Sequence, residues 1–222
     1  MKKFAVLFLI LALLSGAALA ETVGVTITNG QGEICLAWED VEVIDVDGDG
    51  VLTIYDALYC AHEAFYEDGA EAGFSAEDQG YGPSLVKLWG EENGGSYGYC
   101  VNNVPAMSLA DPISADYHIQ AYAYQDLEAW SDQFSYFQYP DKTAMRLTLS
   151  ALGYDADWNQ VEAPLSGAAI TVDGEETGVV TDENGVVELD DLSLAEPGEH
   201  IISATYADAV LVPPVFKITS SK

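Results

Sequence analysis

The stretch DVDGDGVLTIYD, residues 45–56, is the starting point for interpreting the whole chain. Aspartates stand at its first, third and fifth positions, and Gly50 follows at the sixth, where a calcium-binding loop turns sharply. Ca²⁺ prefers about six to eight oxygen ligands from a tightly curled backbone, and alternate acidic side chains supply them. The predicted ligands are the side chains of Asp45, Asp47, Asp49, Thr53 and Asp56 and the backbone carbonyl of Val51.

The segment that follows the acidic positions has the pattern of an amphipathic helix. Thr53 and Asp56 have the spacing of a capping box, in which the two side chains satisfy free N–H groups at a helix start. Apolar residues then recur at helical spacing, at Ile54, Leu58, Ala61 and Phe65. The pattern predicts a helix that ends near residue 66, and it leaves two roles open for Asp56, as a helix cap or as the last metal ligand.

The first 20 residues have the form of a secretory signal peptide. Lys2 and Lys3 precede an apolar run at residues 4–14, and Ala18-Leu19-Ala20 is a small-x-small cleavage site. The apolar run is shorter than a bilayer-spanning helix. We therefore expect a secreted, extracellular protein that is cleaved after Ala20 and is not inserted in a membrane.

The chain is strongly acidic. Its formal net charge of −30 becomes −32 once the two lysines of residues 1–20 are removed. Such a surface repels phosphate groups and anionic lipids, so we expect neither a nucleic-acid nor a membrane partner. The content of 49% hydrophobic and 11% aromatic residues is too high for a disordered acidic chain, and it predicts a folded protein.

Alternating and β-branched segments predict strands on both sides of the helix. They are residues 22–28, 34–44, 84–90, 96–103, 116–126, 134–139 and 143–152. The turn EENGG is expected to join 84–90 and 96–103 as a hairpin. One main helix packed on a mixed sheet predicts an α+β fold for residues 21–153.

Three separated motifs in this region resemble the β-grasp domain related to the C-terminal domain of transcobalamin. They are TIYDAL at residues 53–58, the strand at residues 97–103, and the turn Ala115-Asp116. The single calcium loop also resembles an EF-hand loop, or half of a dockerin. These resemblances imply a β-grasp-like N-terminal domain and, as an alternative function, the capture of a small ligand of the cobalamin type.

The last quarter of the chain predicts a second domain. Residues 154–165 combine an acidic run with a proline, which is typical of a linker. Residues 166–222 alternate cleanly and carry the hairpin dipeptides Asp173-Gly174 and Asn184-Gly185. Strands near 168–173, 178–181, 186–189, 199–206 and 210–219 predict a small all-β sandwich. This part resembles the Ig-like transthyretin-like or carboxypeptidase-regulatory-like sandwiches, which serve as spacers on exported bacterial proteins.

Aromatic side chains crowd the second half of the first predicted domain. Six of them are candidates for a ligand surface: Trp89, Tyr97, Tyr99, Tyr122, Tyr124 and Trp130. Rings with an apolar face and a polar group suit a glycan, a peptide or a small ligand. The same rings are also typical of a sheet core and its cross-strand ladder, and both interpretations stay open.

The sequence shows no set of residues typical of an enzyme. His62-Glu63 begins like a zinc-protease motif, but Tyr66 stands where the second histidine would be. Three cysteines, Cys35, Cys60 and Cys100, leave at least one thiol without a partner in the chain, and all three pairings stay open. The sequence thus predicts a non-enzymatic, calcium-stabilised binding or cell-surface module, with its ligand and oligomeric state open.

Overall fold

The computed structural model describes residues 20–78, 80, 82–138, 145–154, 157, 159–192, 194 and 196–220. Apart from Ala20, the predicted signal peptide lies outside these residues. Two α-helices occur in the described part, α1 (Ile54–Phe65) and α2 (Gly69–Gly73). Neither of them has the length and apolar character that a bilayer crossing requires.

Strands make up most of the regular structure. The first eight are β1 (Ala20–Thr28), β2 (Ile34–Ile44), β3 (Ser75–Asp78), β4 (Pro83–Leu88), β5 (Glu91–Glu92), β6 (Tyr97–Val101), β7 (Val104–Pro105) and β8 (His118–Ala123). The others are β9 (Gln133–Gln138), β10 (Arg146–Tyr154), β11 (Gln160–Pro164), β12 (Ala169–Val172), β13 (Glu175–Val180), β14 (Val186–Glu188), β15 (Gly198–Thr205), β16 (Leu211–Val212) and β17 (Phe216–Ser220).

The described strands form four sheets. The first has the order β2-β1-β8-β6-β7, and the second has the order β11-β10-β9-β16, with β14 paired to β10. The third has the order β13-β12-β15-β17, and the fourth has the order β3-β4-β5. In the first sheet, β1 runs parallel to β8 and antiparallel to β2. Because β1 lies between β2 and β8 in this sheet, the order of its strands in space differs from their order along the chain.

The predicted α+β class is wrong, because the described chain is mostly β. Its helices have only 12 and 5 residues, against four separate sheets. The helical pattern of α1 is stronger than the patterns of the several short strands, so the sequence pattern overstates the helical share of the fold. The short strand β11 lies in the segment predicted as a linker, and β3 lies outside the predicted strands. Each pairs with the neighbouring strand, β3 with β4 and β11 with β10, and such short strands carry little sequence pattern of their own.

The predicted hairpin between residues 84–90 and 96–103 is also wrong. The strand β4 pairs with β3 and β5, whereas β6 pairs with β7 and β8. The chain reverses early, at Trp89 and Gly90, whose φ values of 50° and 80° are those of a tight hairpin turn. This turn brings Glu91 opposite Leu88. The sequence EENGG therefore begins as a strand and is not the hairpin turn itself.

The helix α1 shares one hydrophobic core with the first sheet. Val25 and Ile27 of β1 and Ile54 and Leu58 of α1 are completely buried in this core. Burial of an aliphatic side chain of this size contributes about 1.5–3 kcal/mol. The core thus fixes α1 against the sheet, and with it the acidic loop that joins β2 to α1.

Strand pairing continues across the boundary that was predicted after residue 153. The strand β10 pairs with β14, and β9 pairs with β16. A second core contains Leu147 and Leu149 together with Ile170 and Ile202. The strands β9 and β10 are therefore joined by hydrogen bonds and by packing to strands of the last quarter of the chain.

Candidate metal centre and aromatic cleft

The acidic loop curls around its own carboxylates. Asp45 accepts hydrogen bonds from the backbone N–H groups of Gly48 at 2.8 Å and Gly50 at 2.9 Å. Asp47 and Asp49 each accept one from the residue two positions further on, at 3.1 and 2.8 Å. Gly48 and Gly50 have φ values of 78° and 88°, a conformation that a residue without a Cβ adopts at little cost. The two glycines thus allow the sharp curvature.

Three carboxylates converge in this loop. One oxygen from each of Asp45, Asp47 and Asp49 lies within 4.8 Å of the others. Asp47 and Asp49 are exposed, and Asp45 is half-buried. Two oxygens that bind one Ca²⁺ at about 2.3–2.6 Å lie at most about 5 Å apart, so this separation fits a shared ion. Like charges at this distance repel one another, and a divalent cation among them would remove the repulsion.

Asp56, the last of the predicted ligands, is not part of this group and is completely buried. Its Oδ1 accepts a hydrogen bond from Val46 N at 2.8 Å, and its Oδ2 accepts from Thr53 N at 2.9 Å and Thr53 Oγ1 at 2.7 Å. Thr53 Oγ1 in turn accepts from Asp56 N at 3.4 Å, so the predicted capping box is confirmed. The structure thus brings together three of the six predicted ligands and uses Thr53 and Asp56 to cap α1.

A distant segment holds the junction between loop and helix. Ile113 N donates to Leu52 O at 2.9 Å, and Thr53 forms an isolated β-bridge with Pro112. Ile54 N donates to a carbonyl at residue 111, at 3.2 Å. Residues 109–113 have no strand or helix pattern, so nothing local in the sequence identifies them as the support of the site. Val51, the remaining predicted ligand, is exposed, and its N–H donates to the carboxylate two residues before it.

His62 is not available to a metal. Its ring lies 2.6 Å from Leu58 O through Nδ1, and its Nε2 accepts a hydrogen bond from Trp89 N at 3.0 Å. The side chain is completely buried, and burial lowers the pKa of His62 to about 4. The neighbouring Glu63 accepts a hydrogen bond from Ala70 N at 3.0 Å. The resemblance to a zinc motif therefore has a structural explanation: the two side chains hold α1 to the segments that follow it.

The six predicted aromatic residues fall into different environments. Trp89, Tyr97 and Tyr99 are half-buried against the core of the first sheet. Tyr122 and Tyr124 belong to a small core between the first and second sheets. Trp130 stands apart in the loop between β8 and β9, and 67% of its surface is exposed. The interpretation as sheet core thus holds for five of the six residues, and the ligand surface stays a prediction.

Four of the six residues line one cleft of about 280 Å³ between the first and second sheets: Tyr97, Tyr99, Tyr122 and Tyr124. The rings of Tyr97 and Tyr99 pack on the opposite face of β6, against the first core, so Tyr122 and Tyr124 supply the tyrosine rings of the cleft. The Tyr122 ring lies over the backbone of Gly98, where a Cβ would collide with it. The Tyr122 ring also stacks on Phe134, with ring centres 5.7 Å apart and planes 22° apart. The centre of the Tyr124 ring lies 5.5 Å from that of Tyr122. Packing on both sides therefore fixes the orientation of the central ring.

The cysteines are reduced, and their surroundings suppress thiolate formation. Cys35, Cys60 and Cys100 are all free. Burial raises the pKa of Cys35 to about 11 and that of Cys100 to about 12. Burial also raises the pKa of Cys60. Because the thiolate is the reactive form, all three cysteines act as small packing residues in this structure.

Known proteins add no further constraint on this site. No protein-family model matches the chain, and comparisons with curated proteins and with solved structures find no match. The resemblances to the transcobalamin-related domain, to dockerins and to transthyretin-like sandwiches therefore stay predictions. The function has to be argued from the acidic loop and the aromatic cleft themselves.

Proposed function

We propose that this protein is an exported, non-enzymatic binding module whose ligand lies against the aromatic cleft and whose fold is stabilised by one Ca²⁺ in the acidic loop. The observation that carries the proposal is the aromatic wall of this cleft, in which the ring centres of Tyr122 and Tyr124 lie 5.5 Å apart and Tyr122 stacks on Phe134. Export is supported by the sequence of residues 1–20.

The composition of the cleft favours a ligand with a flat apolar face and several hydroxyl groups. Phe134 and Leu152 add apolar wall, while Asp132 and Gln160 line the same cleft with polar groups. A sugar ring has both kinds of surface, and tyrosine offers a ring face together with a hydroxyl. Ligand pockets commonly measure about 300–1,000 Å³, so a cleft of about 280 Å³ suits a single ring of a glycan.

The state of the reactive side chains supports a binding role. His62, His118 and His200 all have ring nitrogens hydrogen-bonded within the fold. The three thiols have raised pKa values because they are buried. A nucleophile or general base needs a group that reaches a substrate and titrates near neutral pH. These imidazoles and thiols are occupied by packing and hydrogen bonds.

Calcium has a structural role in this proposal. The ion binds Asp45, Asp47 and Asp49, and water completes its coordination. Three carboxylates without the buried Asp56 make a weak site, in the range of about 10⁻⁴–10⁻³ M that is typical of extracellular modules. The ion would then join the end of β2 to the start of α1 at the calcium concentration outside cells.

A glycan array, followed by calorimetry with the retained glycan, tests the binding function. We expect Tyr124→Ala to weaken binding by about tenfold, the loss typical of truncating a central aromatic contact. Trp130→Ala is the matched control, because Trp130 is exposed and does not line the cleft. An array without any retained glycan, or equal losses in both variants, would overturn the proposal.

The same preparation distinguishes the alternative of a cobalamin-type capture protein. The chain is incubated with cobalamin and desalted, and its visible absorbance is recorded. Our proposal predicts no retained absorbance. Retained absorbance that Tyr124→Ala removes would instead assign the cleft to a tetrapyrrole.

A further inference from the structure

A second cleft lies between β2 of the first sheet and β15 and β17 of the third sheet. It has a volume of about 520 Å³. Its lining combines two aromatic side chains with four charged ones: Trp38, Phe216, Glu39, Asp40, Glu199 and Lys217. None of these residues belongs to the acidic loop or to the aromatic cleft. The proposed function makes no use of this second cleft.

Trp38 is held rigidly in the wall of the cleft. Trp38 has a φ of 52° at an irregularity in the pairing of β1 with β2. Its backbone N–H donates a hydrogen bond to Thr26 Oγ1 at 3.1 Å. One ring face stacks on His118, with ring centres 3.7 Å apart and planes 12° apart. The ring lies over Gly24, where a Cβ would collide with it. A strained backbone that the surroundings hold in place is typical of a functional position.

The cleft already holds one ammonium group, that of Lys217. Lys217 Nζ lies 3.0 Å from Glu39 Oε1 and 3.6 Å from Glu199 Oε2. Asp40 adds a third carboxylate to the same lining. Three carboxylates against one ammonium leave two formal negative charges unbalanced. The local charge therefore favours a further cation and repels anions.

We propose that this cleft binds the alkylammonium group of a ligand, with its charge between Glu39, Asp40 and Glu199 and its methylene groups against Trp38 and Phe216. An indole ring attracts a cation to its face, and the attraction increases when water is excluded. Lysine side chains bury their methylene stems on apolar surface while the charge stays near water. The cleft offers both surfaces together, and Lys217 shows that an ammonium group fits there.

Isothermal titration calorimetry on the chain from residue 21 tests this inference with spermidine and with tetralysine, at low and at physiological salt. The matched neutral probe is 1,5-pentanediol. We expect heat of binding with at least one of the two cations, weaker at higher salt, and none with the diol. Binding of spermidine alone indicates a free polyamine, and binding of tetralysine alone indicates a lysine-rich chain. Absence of binding by both cations would overturn the proposal.

Two variants separate this cleft from the general negative charge of the protein. Glu199→Gln should weaken binding by about threefold, the size of one exposed charge contact. Glu176→Gln removes the same charge on β13, at the opposite edge of the third sheet from β17, and should leave binding unchanged. Lys217→Met removes the competing ammonium and should tighten binding. Equal effects of the two glutamate variants, or weaker binding by Lys217→Met, would contradict the assignment.

Discussion

The two ends of α1 are both polar, and they use their polar groups in opposite ways. At the N-terminal end, three carboxylates converge near the surface within 4.8 Å of one another. At the C-terminal end, His62 is completely buried, and both of its ring nitrogens have partners in the fold. The first end has charge that a cation would balance. At the second end, the ring of His62 has no nitrogen left for a ligand.

This difference shows how a candidate metal motif is judged in a structure. Asp56 and Asp49 lie in the same 12-residue stretch, yet only Asp49 belongs to the converging group. The oxygens of Asp56 accept three hydrogen bonds from Val46 and Thr53. Residue type and spacing identify both aspartates as ligands. The hydrogen bonds that Asp56 accepts assign it to the helix cap, whereas Asp49 accepts one loop hydrogen bond and is available to the ion that we propose.

The largest expected effect separates these two aspartates. Asp56→Ala removes a buried acceptor and leaves two backbone N–H groups without a partner, so we expect a loss of about 4 kcal/mol in the free energy of unfolding. The loss should be the same with calcium and with EDTA. Urea unfolding followed by circular dichroism measures it. In EDTA, Asp49→Ala should cost less than about 0.5 kcal/mol, because its side chain is exposed.

The next effect concerns the other end of the helix and depends on pH. Burial lowers the pKa of His62 to about 4, while the unfolded chain keeps a value near 6.5. Between pH 6.5 and 4 the unfolded state therefore binds a proton that the native state does not. Stability should fall by roughly 3 kcal/mol from this residue as the pH decreases through that window.

Proton NMR of the three histidine rings provides the measurement. Burial lowers the pKa of His118 to about 3, and the carboxylate of Asp173 raises the pKa of His200. We expect one ring to titrate above pH 6.5 and two to stay neutral at pH 5. Replacement of His62 by Gln should remove the signals of one of the two rings that stay neutral at pH 5. A titration of His62 near pH 6.5 would contradict its structural role.

Calcium should have an intermediate effect, confined to the N-terminal end. With about 10 mM Ca²⁺ and a Kd of about 1 mM, the stability should increase by about 1.4 kcal/mol. Differential scanning calorimetry with and without the metal measures this increase. Asp126→Asn is the control, because Asp126 caps a different loop and removal of its charge does not touch the converging carboxylates. A control variant that loses the increase would show a general charge effect.

The smallest effect has a diagnostic sign. In EDTA, Asp49→Asn removes one of three like charges, so we expect a gain of about 0.5 kcal/mol, the scale of an exposed charge interaction. Asn keeps an oxygen that can accept the hydrogen bond from Val51 N. A loss of stability in EDTA would mean that the carboxylates do not strain the metal-free loop.

Much of the local structure could be predicted from the sequence, because local patterns determine it. The capping pair Thr53 and Asp56 and the apolar spacing of α1 predicted the helix. Alternation predicted β1, β2 and β8 close to their observed bounds. The glycines at positions 48 and 50 have the positive φ values that a tightly curled loop requires.

The fold class and the division of the aromatic residues could not be predicted, because both depend on distant partners. The pairing of β10 with β14 joins segments about 40 residues apart that share no local signal. The support of the acidic loop by residues 109–113 has the same origin. Tyr122 and Trp130 are both aromatic residues of the same region of the sequence. Tyr122 packs on Phe134 and is buried, whereas Trp130 is exposed.

Equilibrium dialysis against ⁴⁵Ca²⁺ tests most directly whether the converging carboxylates hold an ion. We expect one Ca²⁺ per chain with a Kd of about 10⁻⁴–10⁻³ M, together with loss of that binding in Asp49→Ala, which removes the ligand oxygens. Binding that survives in Asp49→Ala, or no bound ion at millimolar calcium, would contradict the account.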